Sequence, residues 1–486
     1  MIAFVITGAL SEAAGAQVAG EAGRAGTAVV LKGNAPVSEA MLRVRLPRPA
    51  AIDLPNGLHV MVLEDARLPH VHFTLVVRGA GGYFDSPNRV GRATLAAAML
   101  REGTADLDSE ALSRRLDLLG ASLEVSAAPA SPDATVSGSC LSEHLAAVIE
   151  LLAEVVQRPA FRRDALEHVR RHMLGALRQE RASPSFLARE TLARAMYGDD
   201  PAGRVAPMAG VLNGATPAEL AALHHARYVS DRAVLVLSGD VSTVSVRRVV
   251  ERAFGSWRPA GEPDPATSAV RRPEAPTVRV IARPHSVQTN LLIGAPAVGR
   301  THDDYDALLV MNQIIGAGPT GRLFVKLREE RGYTYGAFSS LFADRTWGHW
   351  NASTEVGSAV TKPAFDDLMR EIARLREQPV PERELQQHKR AMVAGFALTL
   401  ESPRRMLGYH VTRWLQRLPS NYWDTVPERI MAVTASDVKR MATRYLDTRR
   451  LHIVAVGERE PIMAALAGSG RTVEVYDAGG RKVSDP

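Results

Sequence analysis

Hydrophobic and polar positions follow two different periods along this chain. Short apolar runs alternate with polar residues at a period of two, which predicts strands, and longer segments repeat apolar residues every three or four positions, which predicts amphipathic helices. In the first half the predicted strands are His59–Leu63, Val71–Arg78, Ser122–Ser126, Ala134–Cys140 and Ala233–Ser238. The predicted helices of that half are Arg92–Glu102, Ser109–Leu119, Glu143–Val156, Arg163–Arg181, Pro217–His225 and Val244–Phe254.

A proline-rich stretch near the middle of the chain predicts a linker over residues 259–277. The order of elements repeats after this stretch. Strands are predicted at Val278–Ala282 and Asn290–Ala295, followed by a helix at Tyr305–Ile315. The repeated order indicates that the chain contains one structural unit twice.

The ends of the two halves are also alike in their residues. Arg227-Tyr228 in the first half and Arg444-Tyr445 in the second each precede an apolar strand that ends in glycine. This long-period duplication predicts two homologous domains, residues 46–258 and residues 278–486. Strands joined by hairpins and helices that come in runs favour an α+β fold, in which each domain is a mostly antiparallel sheet with helices packed on one face.

The N-terminal segment, residues 1–45, is interpreted as a leader or a disordered arm. Ile2–Leu10 is apolar and Ala14-Gly15-Ala16 resembles a cleavage site, so a signal peptide that ends near residue 16 is one interpretation. A basic region before the apolar run is missing, which leaves the alternative of a disordered leader open. We therefore expect export, to the periplasm for instance, with a cytoplasmic location as the alternative.

Composition excludes several classes of function. The 486 residues have a formal net charge of +6, but the arginines are spread along the chain and do not alternate with aromatic residues, so nucleic-acid binding is not expected. No apolar run is as long as a membrane span. The single cysteine, Cys140, cannot form an intramolecular disulfide and is expected to be a packed, inert thiol.

The segment Leu323–Ser340 predicts a helix that turns directly into a strand. Gly332 provides the reversal at the end of the helix, and the aromatic residues after it favour an extended chain. Arg328 lies on the last helical turn and Tyr335 on the strand. A guanidinium and a phenol that converge at this corner would be two fixed donors for a carbonyl oxygen or an oxyanion. The alternative is that Arg328 solvates the helix end and Tyr335 belongs to the core.

Other polar motifs are weaker candidates. His70 and His72 alternate on a strand without a third ligand, and His224-His225 are adjacent on a helix, so both pairs are interpreted as structural. The glycine-rich loop at residues 316–321 lacks the spacing of a phosphate-binding motif.

Taken together, these residues resemble the pitrilysin-type (M16) zinc metallopeptidases, which include the mitochondrial processing peptidase. The resemblance covers nearly the whole chain from about residue 46. It depends on the order and spacing of several short motifs. These are Leu54-Pro55-Asn56-Gly57-Leu58, Gly91–Thr104, Val236–Asp240 with Phe254-Gly255-Ser256-Trp257, Ile315–Leu323, Leu327–Tyr335 and Leu400-Glu401-Ser402.

The chain departs from the family at the metal site. Active members have His-x-x-Glu-His on the helix that here spans Gly91–Thr104, and two histidines bind Zn²⁺ while the glutamate activates water. The two ligand positions hold Thr94 and Ala98 and the base position holds Ala97. The third ligand would fall near residues 175–176, which are glycine and alanine. This chain is therefore expected to bind no zinc.

The resemblance implies a role for the second half of the chain. In the family an arginine and a tyrosine seven residues apart hold the substrate carbonyl beside zinc, and Arg328 and Tyr335 match this pair. In some bacterial members one polypeptide has His-x-x-Glu-His and a second has the Arg/Tyr pair. This chain resembles the second kind, inactive alone and active as a heterodimer with a zinc-binding partner that cleaves unfolded peptides. The alternative is a catalytically inert scaffold that binds proteins or peptides.

The resemblance also implies a peptide-binding strand. Family members bind peptides by adding a strand to a sheet edge, and the corresponding positions here are Ser122, Glu124, Ser126 and Ala127.

Overall fold

The computed structural model describes residues 43–262, 265–267, 270 and 275–483. The proposed signal peptide and most of the predicted leader lie outside the described residues. Within the described ranges, no helix combines the length and the apolar character that a membrane crossing requires.

The first half of the chain forms one six-stranded sheet. Its strands are β1 (Ala50–Asp53), β2 (His59–Glu64), β3 (His70–Arg78), β4 (Ser122–Ser126), β5 (Asp133–Leu141) and β6 (Ala233–Gly239). The spatial order is β1-β2-β6-β3-β5-β4. Only β2 and β6 run parallel, and the other four neighbouring pairs are antiparallel.

The second half forms another six-stranded sheet. Its strands are β7 (Val278–Ala282), β8 (Gln288–Val298), β9 (Ala337–Ala343), β10 (Trp347–Gly357), β11 (His452–Gly457) and β12 (Val473–Asp477). The order is β12-β7-β11-β8-β10-β9, so five strands repeat the order β2-β6-β3-β5-β4 of the first sheet. The sixth strands differ, because β1 pairs antiparallel and β12 pairs parallel.

The helices come in runs between the strands of each half. The first half contains α1 (Arg92–Met99), α2 (Ser109–Leu118), α3 (Leu145–Gln157), α4 (Arg163–Ala182), α5 (Pro184–Tyr197), α6 (Ala209–Gly214), α7 (Pro217–Arg227) and α8 (Thr243–Phe254). The second contains α9 (Tyr305–Ile315), α10 (Arg322–Phe324), α11 (Thr361–Glu377), α12 (Glu382–Thr399), α13 (Pro403–Leu415), α14 (Val426–Ala432), α15 (Ala435–Tyr445) and α16 (Arg459–Leu466).

Each half has its main hydrophobic core between its own sheet and its own helices. In the first half, alternate residues of β3 such as Phe73 and Leu75 belong to the same buried cluster as residues of α1 and α3. In the second, Trp350 of β10 is fully buried among residues of α9 and α11. The predicted α+β fold of two similar domains, each with a mostly antiparallel sheet packed against helices, is therefore confirmed, but the helices are not restricted to one face of each sheet.

One helix of each half covers the remaining face of the other half's sheet. Leu192 and Met196 of α5 pack on β8 and β11 of the second sheet. Leu407 and Val411 of α13 pack on β3 and β6 of the first. Both sheets are thus buried on two faces, which explains why β6 and β11 are buried along their whole length and mostly apolar.

Close approach of α5 to the second sheet depends on a glycine. A Cβ atom at Gly294 of β8 would lie 2.9 Å from side-chain atoms of Leu192 and Met196. Because that separation is shorter than a van der Waals contact, a larger residue at this position would push the helix away from the sheet.

The duplicated Arg-Tyr motifs occupy equivalent positions. The Arg227 guanidinium lies 3.3 Å from the carboxylate of Asp85, which precedes α1, and the Arg444 guanidinium lies 2.9 Å from Asp304, which precedes α9. Both aspartates are buried. An equivalent arginine–aspartate pair thus joins α7 to the segment before α1 in the first half, and α15 to the residue before α9 in the second.

Candidate functional site

The segment that contains Arg328 is wound more loosely than an α-helix. Residues Arg322–Phe324 form one short turn, which continues as a π-helix over Val325–Glu330. Gly332 then adopts φ +63°, the left-handed conformation that glycine tolerates, so the predicted chain reversal occurs there. The π-helix was not predicted. Such segments are rare and occur frequently at functional sites.

Tyr335 lies in a loop, and the prediction that placed it on a strand is wrong. The strand β9 begins at Ala337, because residues 331–336 are held by hydrogen bonds that do not continue the sheet. The alternative that Tyr335 belongs to the core is also excluded, since the residue is 87% exposed. An aromatic side chain so exposed contributes little to stability through burial.

The structure brings Arg328 and Tyr335 into contact. The Arg328 guanidinium carbon lies 5.2 Å from the centre of the Tyr335 ring, within the range of a cation–π interaction. Arg328 Nη1 also donates a long hydrogen bond of 3.4 Å to the carbonyl oxygen of Thr334. Among the described residues, the Tyr335 hydroxyl has no hydrogen-bond partner. Both side chains therefore keep donor groups that are available to a ligand.

Two threonines hold the loop beside Tyr335. The Thr334 hydroxyl accepts from the backbone N–H of Gly336 at 3.1 Å, and the Thr354 hydroxyl of β10 donates to the Gly336 carbonyl at 3.1 Å. Both threonines are buried. Sequence analysis did not single them out. A Thr-x-Gly turn at residue 334 was the only signal, whereas the contact from Thr354 depends on strand pairing.

A third contact fixes the start of this loop. The Arg331 guanidinium donates to the buried carboxylate of Asp367 on α11 at 3.1 Å. The loop is thereby tied to α11 on one side and to β10 on the other, while Tyr335 projects from it. A substrate would therefore bind Tyr335 without having to order the backbone of this loop.

The helix that corresponds to the metal helix of the family has no suitable donors. Ala97 is buried and Ala98 is partly buried, and neither has a donor atom. The Thr94 hydroxyl donates to the carbonyl oxygen of Ala127 at 2.7 Å, so it is already used within the chain. These residues do not fit Zn²⁺, whose usual protein ligands are cysteine, histidine, aspartate and glutamate.

The position of the third family ligand is equally bare. Residues 175 and 176 lie on α4, which packs against α1. A Cβ atom built at Gly175 would have no atom within 4 Å, so open space lies where a glutamate would stand. Across the described ranges, no group of three or more histidine, cysteine, aspartate or glutamate residues could hold a metal ion.

The predicted peptide-binding strand, β4, lies at the edge of the first sheet. It pairs with β5 only, so its other edge has no strand partner within the described part of the chain. Ser122, Glu124 and Ser126 are exposed on the face away from the α1 core. Ala127 differs, because it is buried and its carbonyl oxygen accepts from Thr94. A peptide could pair along β4 but would find the Ala127 carbonyl occupied.

The remaining candidates have structural surroundings. The His70 and His72 rings lie 4.6 Å apart, and burial is the main reason that the pKa of His72 is lowered. His224 is buried and its Nε2 lies 2.8 Å from the Val156 carbonyl oxygen, with its pKa lowered to about 4 by burial. Burial raises the pKa of the Cys140 thiol to about 11, which makes a reactive thiolate scarce at neutral pH.

Comparison with known protein families gives two adjacent matches. The model for insulinase (peptidase family M16) matches residues 60–208, and the model for the peptidase M16 inactive domain matches residues 214–392. Together the two models span most of both sheets.

Curated relatives share about a quarter of their residues with this chain. An uncharacterized zinc protease of Mycobacterium tuberculosis is 27% identical over 84% of this chain and 93% of its own length. A protein of Helicobacter pylori named as a non-peptidase homolog is 23% identical over 82% of this chain and 92% of its own. The mitochondrial-processing peptidase subunit beta of Lentinula edodes is also 23% identical, over 83% of this chain and 89% of its own.

Solved structures show the same fold. The peptidase M16 inactive domain of Pseudomonas fluorescens superposes with a TM-score of 0.76 at 26% identity, over 85% of this chain and 98% of that structure. A protease of Helicobacter pylori gives the same TM-score at 17% identity, over 85% of this chain and 100% of that structure. The fold, the two family models and the relatives agree, and this chain belongs to the M16 peptidase family.

Proposed function

We propose that this chain is the non-zinc-binding subunit of a heterodimeric M16-type metallopeptidase. The observation that carries the proposal is the contact between Arg328 on the π-helix and Tyr335 on the exposed loop that follows it. In the same chain, Thr94, Ala97 and Ala98 occupy the positions of the family's metal site. Donors for a substrate carbonyl are retained, and ligands for zinc are absent from those positions. The chain would be inactive alone and would act with a partner that has His-x-x-Glu-His.

The two side chains would act on the carbonyl of the peptide bond that is cleaved. The oxygen of that carbonyl gains negative charge when the carbon is attacked, and charged or polar donors that face it are worth most at that moment. The Arg328 guanidinium would supply a charge-assisted hydrogen bond and the Tyr335 hydroxyl a neutral one. Removal of one such donor typically lowers kcat about 100-fold.

The substrate would be an unfolded peptide, since only an extended chain can pair with a sheet edge. In this chain the backbone of β4 at Ser122, Glu124 and Ser126 would pair with such a peptide, and residue 127 would mark the end of the strand. Zinc would be held by the partner subunit. The compartment remains a proposal from the N-terminal segment, with export favoured over the cytoplasm.

A second candidate function is a catalytically inert M16 homologue that binds proteins or peptides. Two observations favour it: the match to a family model described as an inactive domain, and the similarity to a relative named as a non-peptidase homolog. In that case Arg328 and Tyr335 would bind a peptide without contributing to its cleavage.

Co-expression with a candidate His-x-x-Glu-His partner separates the two candidates. Under the favoured proposal the pair cleaves an unfolded peptide, and Tyr335→Phe and Arg328→Ala each lower kcat about 100-fold while the complex stays intact. Tyr333→Phe is the matched control, because Tyr333 packs against the core of the second half. Unchanged turnover in both variants would reject the role, and a stable complex without activity in any pairing would favour the inert homologue.

A further inference from the structure

A cavity of about 440 Å³ lies on the helical side of the second half, away from its sheet. The π-helix forms one wall, and α11 and α12 form the others. The charged residues and the histidine that line it are Arg322, Lys326, Glu330, Glu371, Arg374, Glu384 and His388. Its volume suits a small metabolite and is too small for a folded partner.

Two of the ion pairs in the cavity are complete. Arg322 binds the Glu384 carboxylate with two nitrogens, at 2.8 and 2.9 Å, and Lys326 donates to Glu330 at 2.7 Å. Each charge in these pairs therefore has a close partner within the protein. They shape the wall, although the buried Nη1 atom of Arg322 has no hydrogen-bond partner among the described residues.

Glu371 and His388 line the same cavity without a hydrogen bond from any described residue. Both are buried, with 6% of each residue exposed. Burying a carboxylate without a hydrogen bond is costly, so a donor in the cavity would be strongly favoured. Burial also lowers the pKa of His388, which keeps a ring nitrogen free to accept a hydrogen bond at neutral pH.

Arg374 lies at the rim of the cavity. Its Nη1 is 3.8 Å from the Glu371 carboxylate, which is longer than a hydrogen bond, and its side chain is 53% exposed. A ligand could therefore bind this guanidinium through an acceptor group without breaking a close pair. The Arg374 guanidinium at the rim can donate to a ligand, and the Glu371 carboxylate inside the cavity can accept from one. These two groups are 3.8 Å apart.

We infer that this cavity binds a free α-amino acid. The ammonium group would donate to the Glu371 carboxylate and the His388 ring, and the carboxylate would accept from the Arg374 guanidinium. Glu371 and Arg374 form only a long ion pair of 3.8 Å, and neither side chain has a hydrogen bond among the described residues. A zwitterion could bind both groups at once, whereas a simple amine or a simple carboxylate could bind only one of them.

Binding at this site would also act on Arg328. Val325, Lys326 and Glu330 of the π-helix line the cavity. Arg328 belongs to the same π-helix but does not line the cavity. A ligand that tightens this wall would restrict the Arg328 guanidinium, so a bound amino acid would change the activity of the proposed carbonyl-binding pair. This regulatory step depends on the proposed function, but binding itself does not.

Binding is tested on the isolated full-length chain by calorimetry with each of the common amino acids. The preferred amino acid is then compared with its N-acetyl form and its amide, which lack the ammonium charge and the carboxylate, respectively. We expect binding of the free amino acid and at least about tenfold weaker binding of both derivatives, since each loses a charge-assisted hydrogen bond. Equal binding of either derivative, or no binding of any amino acid at millimolar concentration, would overturn the inference.

Variants of the cavity provide the second test. Glu371→Gln and Arg374→Ala should each weaken binding about tenfold or more. Arg383→Ala is the matched control, because Arg383 is an exposed residue of α12 that does not line the cavity. Because Arg374 is half exposed, its variant is expected to fold, and unchanged affinity in that variant would contradict the assignment even if Glu371→Gln were unstable. Binding without any effect on turnover of the heterodimer would remove only the regulatory step.

Discussion

The hydroxyl of Thr354 donates a hydrogen bond to the carbonyl oxygen of Gly336 at 3.1 Å. Through this contact, strand β10 positions the residue that follows Tyr335. Tyr335 itself is almost fully exposed, so its position depends on the backbone on either side of it. The contact therefore connects a buried strand to the proposed carbonyl-binding group.

We predict that Thr354→Val lowers kcat of the heterodimer about tenfold, because a displaced donor stabilises the transition state less well. KM should change little if Tyr335 acts mainly in the transition state. Thr354→Ser keeps the hydroxyl and should restore activity. Ser353→Ala, at an exposed position of the same strand, is the control. An equal loss of kcat in Thr354→Ser and Ser353→Ala would indicate general damage to β10.

Removal of zinc by a chelator is predicted to affect the heterodimer and not this chain alone. Thr94, Ala97 and Ala98 cannot hold zinc, so a chelator should leave the melting temperature of this chain alone unchanged. The same treatment should abolish peptide cleavage by the heterodimer. Thermal unfolding and metal analysis of the isolated chain provide the measurement. Stoichiometric zinc in the isolated chain would contradict the assignment of the metal to the partner.

Three buried histidines predict a loss of stability in acid. Burial is the main reason that the pKa values of His224, His410 and His452 are each lowered from 6.5 to about 4. The unfolded chain therefore binds more protons than the folded chain between these values. The histidines cost no stability above pH 6.5, and their unfavourable effect grows as the pH falls towards 4.

Each of these histidines should destabilise the fold by about 3 kcal/mol once the pH has fallen through that window. Denaturant unfolding across the window measures the slope of the free energy of unfolding against pH. His410→Leu should reduce this slope, because the buried position then has nothing to protonate. An identical slope in the variant would show that His410 is not responsible.

The exchanged helices predict that the two halves do not fold separately. Leu407 of α13 is buried on the first sheet, and truncation of such a leucine typically costs about 2–5 kcal/mol. Leu407→Ala should therefore destabilise the whole chain, and residues 46–258 expressed alone should be unstable or aggregate. Leu398→Ala is the control, since Leu398 is 65% exposed. Cooperative unfolding of the isolated first half at full-length stability would contradict this prediction.

Sequence reasoning predicted most strands because their period is local. The predicted strand Ala233–Ser238 became β6, and the predicted strand Ser122–Ser126 became β4 with the same bounds. Gly332 was also identified correctly, since its left-handed conformation is a property of glycine itself. Tyr335 was misplaced because aromatic residues favour strands, whereas side-chain hydrogen bonds from Thr334 and Thr354 keep this segment out of the sheet.

Helix α5, which begins at Pro184, is missing from the predicted helices, because none was predicted between Arg163–Arg181 and Pro217–His225. Proline has no N–H group and fits the first turn of a helix as well as it ends one, and here it begins α5. Helix α13 likewise begins at Pro403, with Ser402 as its N-cap. The buried apolar face of each helix packs on the sheet of the other half, so no local pattern could show what that face contacts.

The sequence by itself determined the duplication, the absence of metal ligands at Thr94, Ala97 and Ala98, and the presence of an arginine and a tyrosine seven residues apart. These are properties of residue identity and spacing. The tertiary structure decided that α5 and α13 exchange sheets, that Arg328 lies on a π-helix against Tyr335, and that Glu371 and His388 share a cavity. Each of these depends on contacts between distant segments, whose energies no local pattern contains.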